Sequence, residues 1–190
     1  MKKTGERVLG KGKWLILRDE TFLSEKGEEV HWETITRTSD SYVVVVVARL
    51  VPSGRYVLLR QYRQAIENTV IGFCAGAAPA GSDPETEALR ELREETGYVA
   101  RQWARAGVLH PVVSYSTEVI EIWFARHLVS GERALDEGEF LEVFSASPVQ
   151  LQAWCCGGEV TDAKTLVGAL WLQNVLAGAW PLEWQGAPAA

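Results

Sequence analysis

Glu94 and Glu95 follow Glu91 by three and four positions. Those spacings share one face of a helix, so the three carboxylates converge on a single stripe if the stretch is helical. Like charges on one stripe repel, and a positive group must offset them. Arg90 and Arg93 flank the cluster and can do so. A group of carboxylates is also the ligand set that a hard divalent cation such as Mg²⁺ selects. A solvated, charged helix face is the plainer reading of such a run.

The stretch carries the marks of a helix at both ends. Asp83 stands where a side chain can cap the first free amides, and Pro84 suits the first helical position, where an N–H has no partner. Glu85 and Glu87 fall in the first turn, where negative charge suits the helix dipole, and Gly97 follows as a left-handed cap.

Around this helix the chain of 190 residues fits one domain with a small N-terminal appendage, and its 47% hydrophobic content is enough for a sizeable core. The net charge of −6 argues against a general nucleic-acid or membrane-surface binder, which needs a basic face. Cys74, Cys155 and Cys156 form no disulfide framework and no metal-binding spacing, which fits a reducing cytoplasm. No apolar run follows Met1-Lys2-Lys3, so no signal peptide is expected, and Val43 to Ala48 is too short to span a bilayer.

Period-two patterns predict strands over Lys13–Phe22 and Glu29–Arg37, joined by a turn at Lys26-Gly27. Such a hairpin cannot bury both faces alone and must lie on the main domain or on a second subunit. Tyr42–Leu50 is β-branched and apolar, as a strand buried on both faces is. Further strands are expected over Arg55–Tyr62, Ile71–Ala75, Trp103–Leu109, Val119–Leu128 and Glu142–Ser145. Helices are expected over Val149–Cys156 and Thr161–Ala177, the second burying Leu166, Leu170, Trp171 and Val175, and the tail Gly186–Ala190 reads as frayed. Mixed strands followed by helices give an α+β sandwich with a helix on each side of a mixed sheet.

The stretch Gly76 to Tyr98 resembles the Nudix box, the signature of Nudix hydrolases: a Gly, five residues, a Glu, seven residues, then Arg-Glu-apolar-any-Glu-Glu-any-Gly-apolar. Gly76 is in place, and Arg90-Glu91-Leu92-Arg93-Glu94-Glu95-Thr96-Gly97-Tyr98 matches throughout. Ser82 stands where the family has its first Glu, which braces the loop against the box Arg. The resemblance implies the Nudix fold, an α/β/α sandwich over residues 41–190, with residues 1–40 as a β segment for dimerisation and substrate contact.

It also implies roles. Glu91, Glu94 and Glu95 with the Ala75 carbonyl hold Mg²⁺, or Mn²⁺ in its place, and Arg90 braces the glutamates. Hydrolysis of a diphosphate needs charge neutralised on its bridging and leaving oxygens and an activated water, which two or more such ions supply.

Flanking motifs narrow the substrate. Arg60-Gln61-Tyr62-Arg63, the strand Trp32-Glu33-x-x-x-Arg37 and the run Thr161-Asp162-Ala163-Lys164-Thr165 are similar to those of ADP-ribose and nucleotide-sugar pyrophosphatases. By that likeness Trp32 stacks on the base, Glu33 accepts from its exocyclic amine, and Arg37 and Arg63 hold phosphates by forked contacts. The plainer readings are sheet packing for Trp32 and surface charge for the arginines. The loop Leu135 to Val143 resembles the one carrying a late acid or base; Glu139 is the candidate, with Glu137 and Glu142 as rivals. Gly72 and Val112-Val113-Ser114 depart from the family on the substrate side. In the look-alike enzymes the N-terminal segment crosses to a second subunit, so a homodimer is implied.

The leading expectation is a Mg²⁺-dependent pyrophosphatase of ADP-ribose or a related nucleoside diphosphate sugar. The alternatives are a Nudix hydrolase of dinucleoside polyphosphates or NADH-like dinucleotides, and a non-catalytic nucleotide-binding regulator. The retained Glu91, Glu94 and Glu95 favour catalysis.

Overall fold

The computed structural model describes residues 1–39, 41–135 and 140–186. Its N-terminal segment is a three-stranded antiparallel sheet of β1 (Lys2–Lys11), β2 (Leu15–Leu23) and β3 (Glu29–Arg37), in that order. Sequence patterning gave two strands and missed β1. The reason is burial: nearly every β1 residue is exposed, so it carries no apolar period. Backbone pairing with β2 holds it, assisted by ion pairs of Lys3 with Glu20 and Arg7 with Asp19.

The next strands are β4 (Tyr42–Ala48), β5 (Tyr56–Arg63), β6 (Asn68–Gly72) and β7 (Cys74–Ala78), followed by helix α1 (Pro84–Thr96). Then come β8 (Tyr98–Leu109), β9 (Ile120–Ser130), β10 (Leu141–Ala146), the helices α2 (Pro148–Gly157) and α3 (Ala163–Leu176), and the short β11 (Gln185–Gly186). The main sheet runs β11-β8-β9-β4-β7 and is mixed, with β4 parallel to β9; β10-β5-β6 form a second sheet. The expected single strand Ile71–Ala75 is in fact two, parted at Phe73, with β6 in the second sheet and β7 in the main one.

β4 shows why the sandwich closes. Val43, Val45 and Val47 join Ile122, Phe124, Leu151 and Leu172 in one core cluster, while Val44, Val46 and Ala48 join Ala88, Leu92 and Trp123 in the other. Alternate residues of a strand face opposite sides, so one strand is the floor of both cores. Each fully buried valine contributes roughly 1.5–3 kcal/mol. Helix α1 covers one side, and α2 and α3 cover the other, which is the α+β sandwich expected.

The buried face of α3 matches the expected stripe in part: Trp171 and Val175 pack half-buried on the core. Thr165, Gly168, Ala169 and Leu172 are buried, whereas Leu166 and Leu170 are exposed. The helix is apolar nearly all round, so periodicity could not select the face. Close approach selects it instead: a Cβ on Gly168 would stand 3.0 Å from the Phe73 ring.

Gly186, read as tail, pairs with Gln102 on the sheet edge; residues 187–190 lie outside the described residues. Among the described residues no helix is long and apolar enough to cross a membrane, and no cysteine forms a disulfide.

Candidate active site

Helix α1 is fixed at both ends as its sequence dictates. The Thr86 amide donates to Asp83 Oδ2 at 2.9 Å, and Gly97, at φ 74°, donates its N–H to the Arg93 carbonyl. The Thr86 hydroxyl and amide together hold the Asp83 carboxyl below the usual carboxylate range. This framing turns Glu91 and Glu95 inward, where they are 9% and 3% exposed, and leaves Glu94 partly exposed.

The strand β7 runs past this face. The Ala75 amide donates to Glu95 Oε2 at 2.9 Å, so the strand and the helix are tied at the site itself. Gly76 lies hard against Glu91: a Cβ there would fall 1.9 Å from the Glu91 carboxyl carbon.

Arg90 braces the glutamates. Its Nε donates to Glu87 at 2.9 Å, its Nη2 to Glu91 at 2.6 Å, and its Nη1 pairs with Glu94. Burial pulls its pKa down, but the Glu87 hydrogen bond and the Glu91 and Glu94 charges outweigh it, and the net shift is upward. Among the described residues no three His, Cys, Asp or Glu side chains stand in a ready metal cluster. The donors nevertheless suit a hard cation: Glu91 and Glu95 offer buried carboxylate oxygens on the face where β7 passes without a side chain at Gly76.

A cleft of about 360 Å³ opens beside this face, with Ala75 and Gly76 in its wall and Arg37, Arg63, Glu118, Asp162 and Lys164 around it. Arg37 and Arg63, expected to hold phosphates, thus come together next to the expected metal ligands. Arg37 is not free surface charge: Nε and Nη2 both donate to Glu118 Oε1, at 2.9 and 2.5 Å. Glu118 and Lys164 were not singled out from sequence. Glu118 stands 81 positions from its partner with no motif around it, whereas the run around Lys164 was in view and its placement in the cleft was not.

Trp32 and Glu33 do not line the cleft. Trp32 is 52% exposed and donates its indole N–H to the Ser114 carbonyl at 2.6 Å, helping to seat β3 on the loop between β8 and β9. Ile35 continues that seam, donating its amide to Tyr115 at 2.7 Å. Of the late acids, Glu142 is spent on Arg60 at 2.8 Å across β10 and β5, and Glu137 and Glu139 lie outside the described residues.

Residues 41–163 match the family model described as the NUDIX domain. The chain belongs to the Nudix hydrolase family. It is 32% identical to the ADP-ribose pyrophosphatase of Bacillus subtilis over 68% of this chain and 71% of that one. It is 31% identical to the methanol dehydrogenase activator of Bacillus methanolicus, again over 68% and 71%. A crystal structure of an ADP compounds hydrolase superposes with a TM-score of 0.83, covering 94% of this chain and 96% of that one at 20% identity, and so shows the shared Nudix fold.

The departure from the Nudix box at Ser82 now has a physical account. Tyr42 hydrogen-bonds through its hydroxyl to the Ser82 carbonyl at 3.1 Å, and Ser82 Oγ donates to the Pro79 carbonyl at 2.7 Å. The loop is anchored on β4, and Arg90 takes Glu87 where the box Glu would serve. A Ser82→Glu side chain would find Arg90 already engaged by three carboxylates. Ser82→Glu is expected to keep activity and to shift Tm by no more than about 2 °C, whereas Tyr42→Phe costs about 1 kcal/mol for the lost anchor. Thermal melts of both variants decide; a clear rise in Tm for Ser82→Glu would show that Arg90 can still be recruited to the loop.

Proposed function

We propose that this Nudix hydrolase cleaves the pyrophosphate bond of ADP-ribose or a related nucleoside diphosphate sugar in a Mg²⁺-dependent reaction, with Mn²⁺ as an alternative, releasing a nucleoside monophosphate and a sugar phosphate. The observation that carries the reading is the cleft in which Arg37 and Arg63 meet Ala75 and Gly76, the strand against which Glu91 and Glu95 pack. The identity to an ADP-ribose pyrophosphatase supports the substrate class.

Glu91, Glu94, Glu95 and the Ala75 carbonyl are the proposed metal ligands. A divalent cation held there neutralises charge on the bridging and leaving oxygens and lowers the pKa of water. Arg90 keeps the carboxylates in place, Arg63 and Arg37 orient the diphosphate through forked contacts, and Glu139 is the proposed late acid or base.

We assign residues 1–40 to assembly and substrate contact and residues 41–190 to the hydrolase domain, in a homodimer of the reducing cytoplasm. Trp14, Trp32, Val8 and Leu15 leave apolar surface on the N-terminal sheet that a second copy would cover. Trp32 and Glu33, as strand neighbours, point to opposite faces of β3. Both meet one base only at the strand edge or where a second copy supplies one of them. Trp32→Ala is expected to raise KM about tenfold with little change in kcat, because stacking is made equally in the ground and transition states. An unchanged KM returns Trp32 to its packing role on Ser114. Sedimentation at micromolar concentration is expected to give a dimer, and a monomer would overturn the assembly.

The substrate is tested with a panel of nucleotide sugars, dinucleotides and dinucleoside polyphosphates with Mg²⁺, read as phosphate release after phosphatase coupling. ADP-ribose or a close nucleotide sugar is expected to lead. Preference for a dinucleoside polyphosphate would replace the substrate. Nucleotide binding without turnover would favour the non-catalytic regulator; the Bacillus methanolicus relative is named as an activator of methanol dehydrogenase.

A further inference from the structure

The run Thr161-Asp162-Ala163-Lys164-Thr165 opens α3 and is not used by the reaction described above. Asp162 caps the helix, accepting the Thr165 amide at 3.3 Å and its hydroxyl at 2.5 Å through Oδ2. Its other oxygen, Oδ1, accepts from Lys164 Nζ at 2.8 Å. One carboxylate thus fixes the helix start with one oxygen and an ammonium with the other. The Lys164 side chain is only 16% exposed, unusual for a residue that normally keeps its charge in water.

Its position is informative. Lys164 lines the cleft with Arg37 and Arg63, and it also lines a smaller recess with Gln61, Arg63 and Ala75. On a chain of net charge −6, the charged groups around this cleft are three cations against two carboxylates. Each carboxylate is already committed, Glu118 to Arg37 and Asp162 to Lys164 and Thr165. Arg63 makes no side-chain ion pair among the described residues. An ammonium has three donors, and the Asp162 hydrogen bond uses one. Position 72 adds no acid: Gly72 faces this helix start, where a Cβ would stand 3.3 Å from Thr165 Oγ1 and 3.7 Å from Asp162 Oδ2. The unpaired Arg63 therefore leaves the lining with one positive charge in excess, and Lys164, which shares that lining, has donors beyond the one that Asp162 accepts.

We propose that Lys164, held by Asp162, is a third anion-binding side chain of the cleft, which with Arg37 and Arg63 grips the diphosphate of the substrate. This rests on the reading of the cleft as a nucleoside diphosphate site but not on the sugar attached. Asp162 is a positioning residue: it orients Lys164 and touches no substrate itself.

The test is titration calorimetry of the full-length protein with ADP in chelator, so that side chains rather than metal report. Lys164→Met is expected to weaken ADP binding about tenfold and to flatten its salt dependence, and Lys164→Arg is expected to restore most of both. With Mg²⁺ and ADP-ribose, Lys164→Met should raise KM more than it lowers kcat. If ADP binds Lys164→Met within twofold of wild type, the proposal is overturned. A Tm loss with unchanged ADP affinity likewise overturns it, since the Lys164–Asp162 pair would then be a structural tie alone. Failure of the wild-type protein to hydrolyse ADP-ribose would overturn the substrate reading while leaving the ADP titration decisive for Lys164.

Discussion

Glu95→Gln is expected to lower turnover by at least about a hundredfold, a loss near 2.7 kcal/mol of transition-state stabilisation, with little change in Tm. The asymmetry follows from what the side chain does. Glu95 is 3% exposed and accepts the Ala75 amide at 2.9 Å. A glutamine keeps the shape and an acceptor oxygen for that amide, so β7 and α1 stay tied. What it removes is the negative charge on a buried oxygen that a hard cation needs. The measurements are kcat with saturating Mg²⁺, and the rise in Tm that Mg²⁺ gives the wild-type protein by binding its folded form. That rise should be lost in the variant. Near-normal Mg²⁺-dependent turnover would move the metal site away from Glu95. Glu94→Gln is the internal comparison: Glu94 is more exposed and pairs with Arg90, so its loss should weaken the brace and cost less.

What could be read from sequence, and what could not, divides along physical lines. Helix α1 was legible at both ends because Asp83, Pro84 and Gly97 are chemical punctuation for a helix, and each does its expected work. β4 was legible because a strand buried on both faces must be apolar throughout. β1 was illegible because it is held by backbone pairing and surface ion pairs, which leave no hydrophobic period. The face of α3 was illegible because small residues, Gly168 and Ala169, share the buried face with Leu172 while Leu166 and Leu170 stay exposed. In the site, the residues within one helix could be grouped by spacing, whereas the cleft is assembled from β3, β4, β5, β7, the loop before β9 and the start of α3. Nothing local tells Arg37 that its partner is Glu118, or Lys164 that it will share a wall with Arg63. Motif likeness placed Arg37 and Arg63 there; Glu118 and Lys164 needed coordinates.

Gly76→Ala should separate activity from stability in the same way, through a single methyl group. Gly76 is not one of the glycines at positive φ, so alanine meets no backbone strain there. Its Cβ would instead stand 1.9 Å from the Glu91 carboxyl carbon and 2.1 Å from both carboxylate oxygens, so the Glu91 side chain must move. The end of a glutamate can swing aside, and the fold survives at a cost of about 1–3 kcal/mol for overpacking. Moving it displaces a proposed metal ligand and breaks the 2.6 Å hydrogen bond from Arg90, and a misplacement of about 1 Å at a reacting site costs about a hundredfold. Gly81 supplies the opposite case: its φ is +79° and nothing lies within 4 Å of a Cβ there. Gly81→Ala should therefore cost about 1 kcal/mol in backbone strain and leave kcat nearly unchanged. Melts and turnover measured on both variants discriminate. If the activity lost in Gly76→Ala merely tracks its Tm, or if it keeps wild-type turnover, the Glu91 carboxylate is not where the chemistry is held.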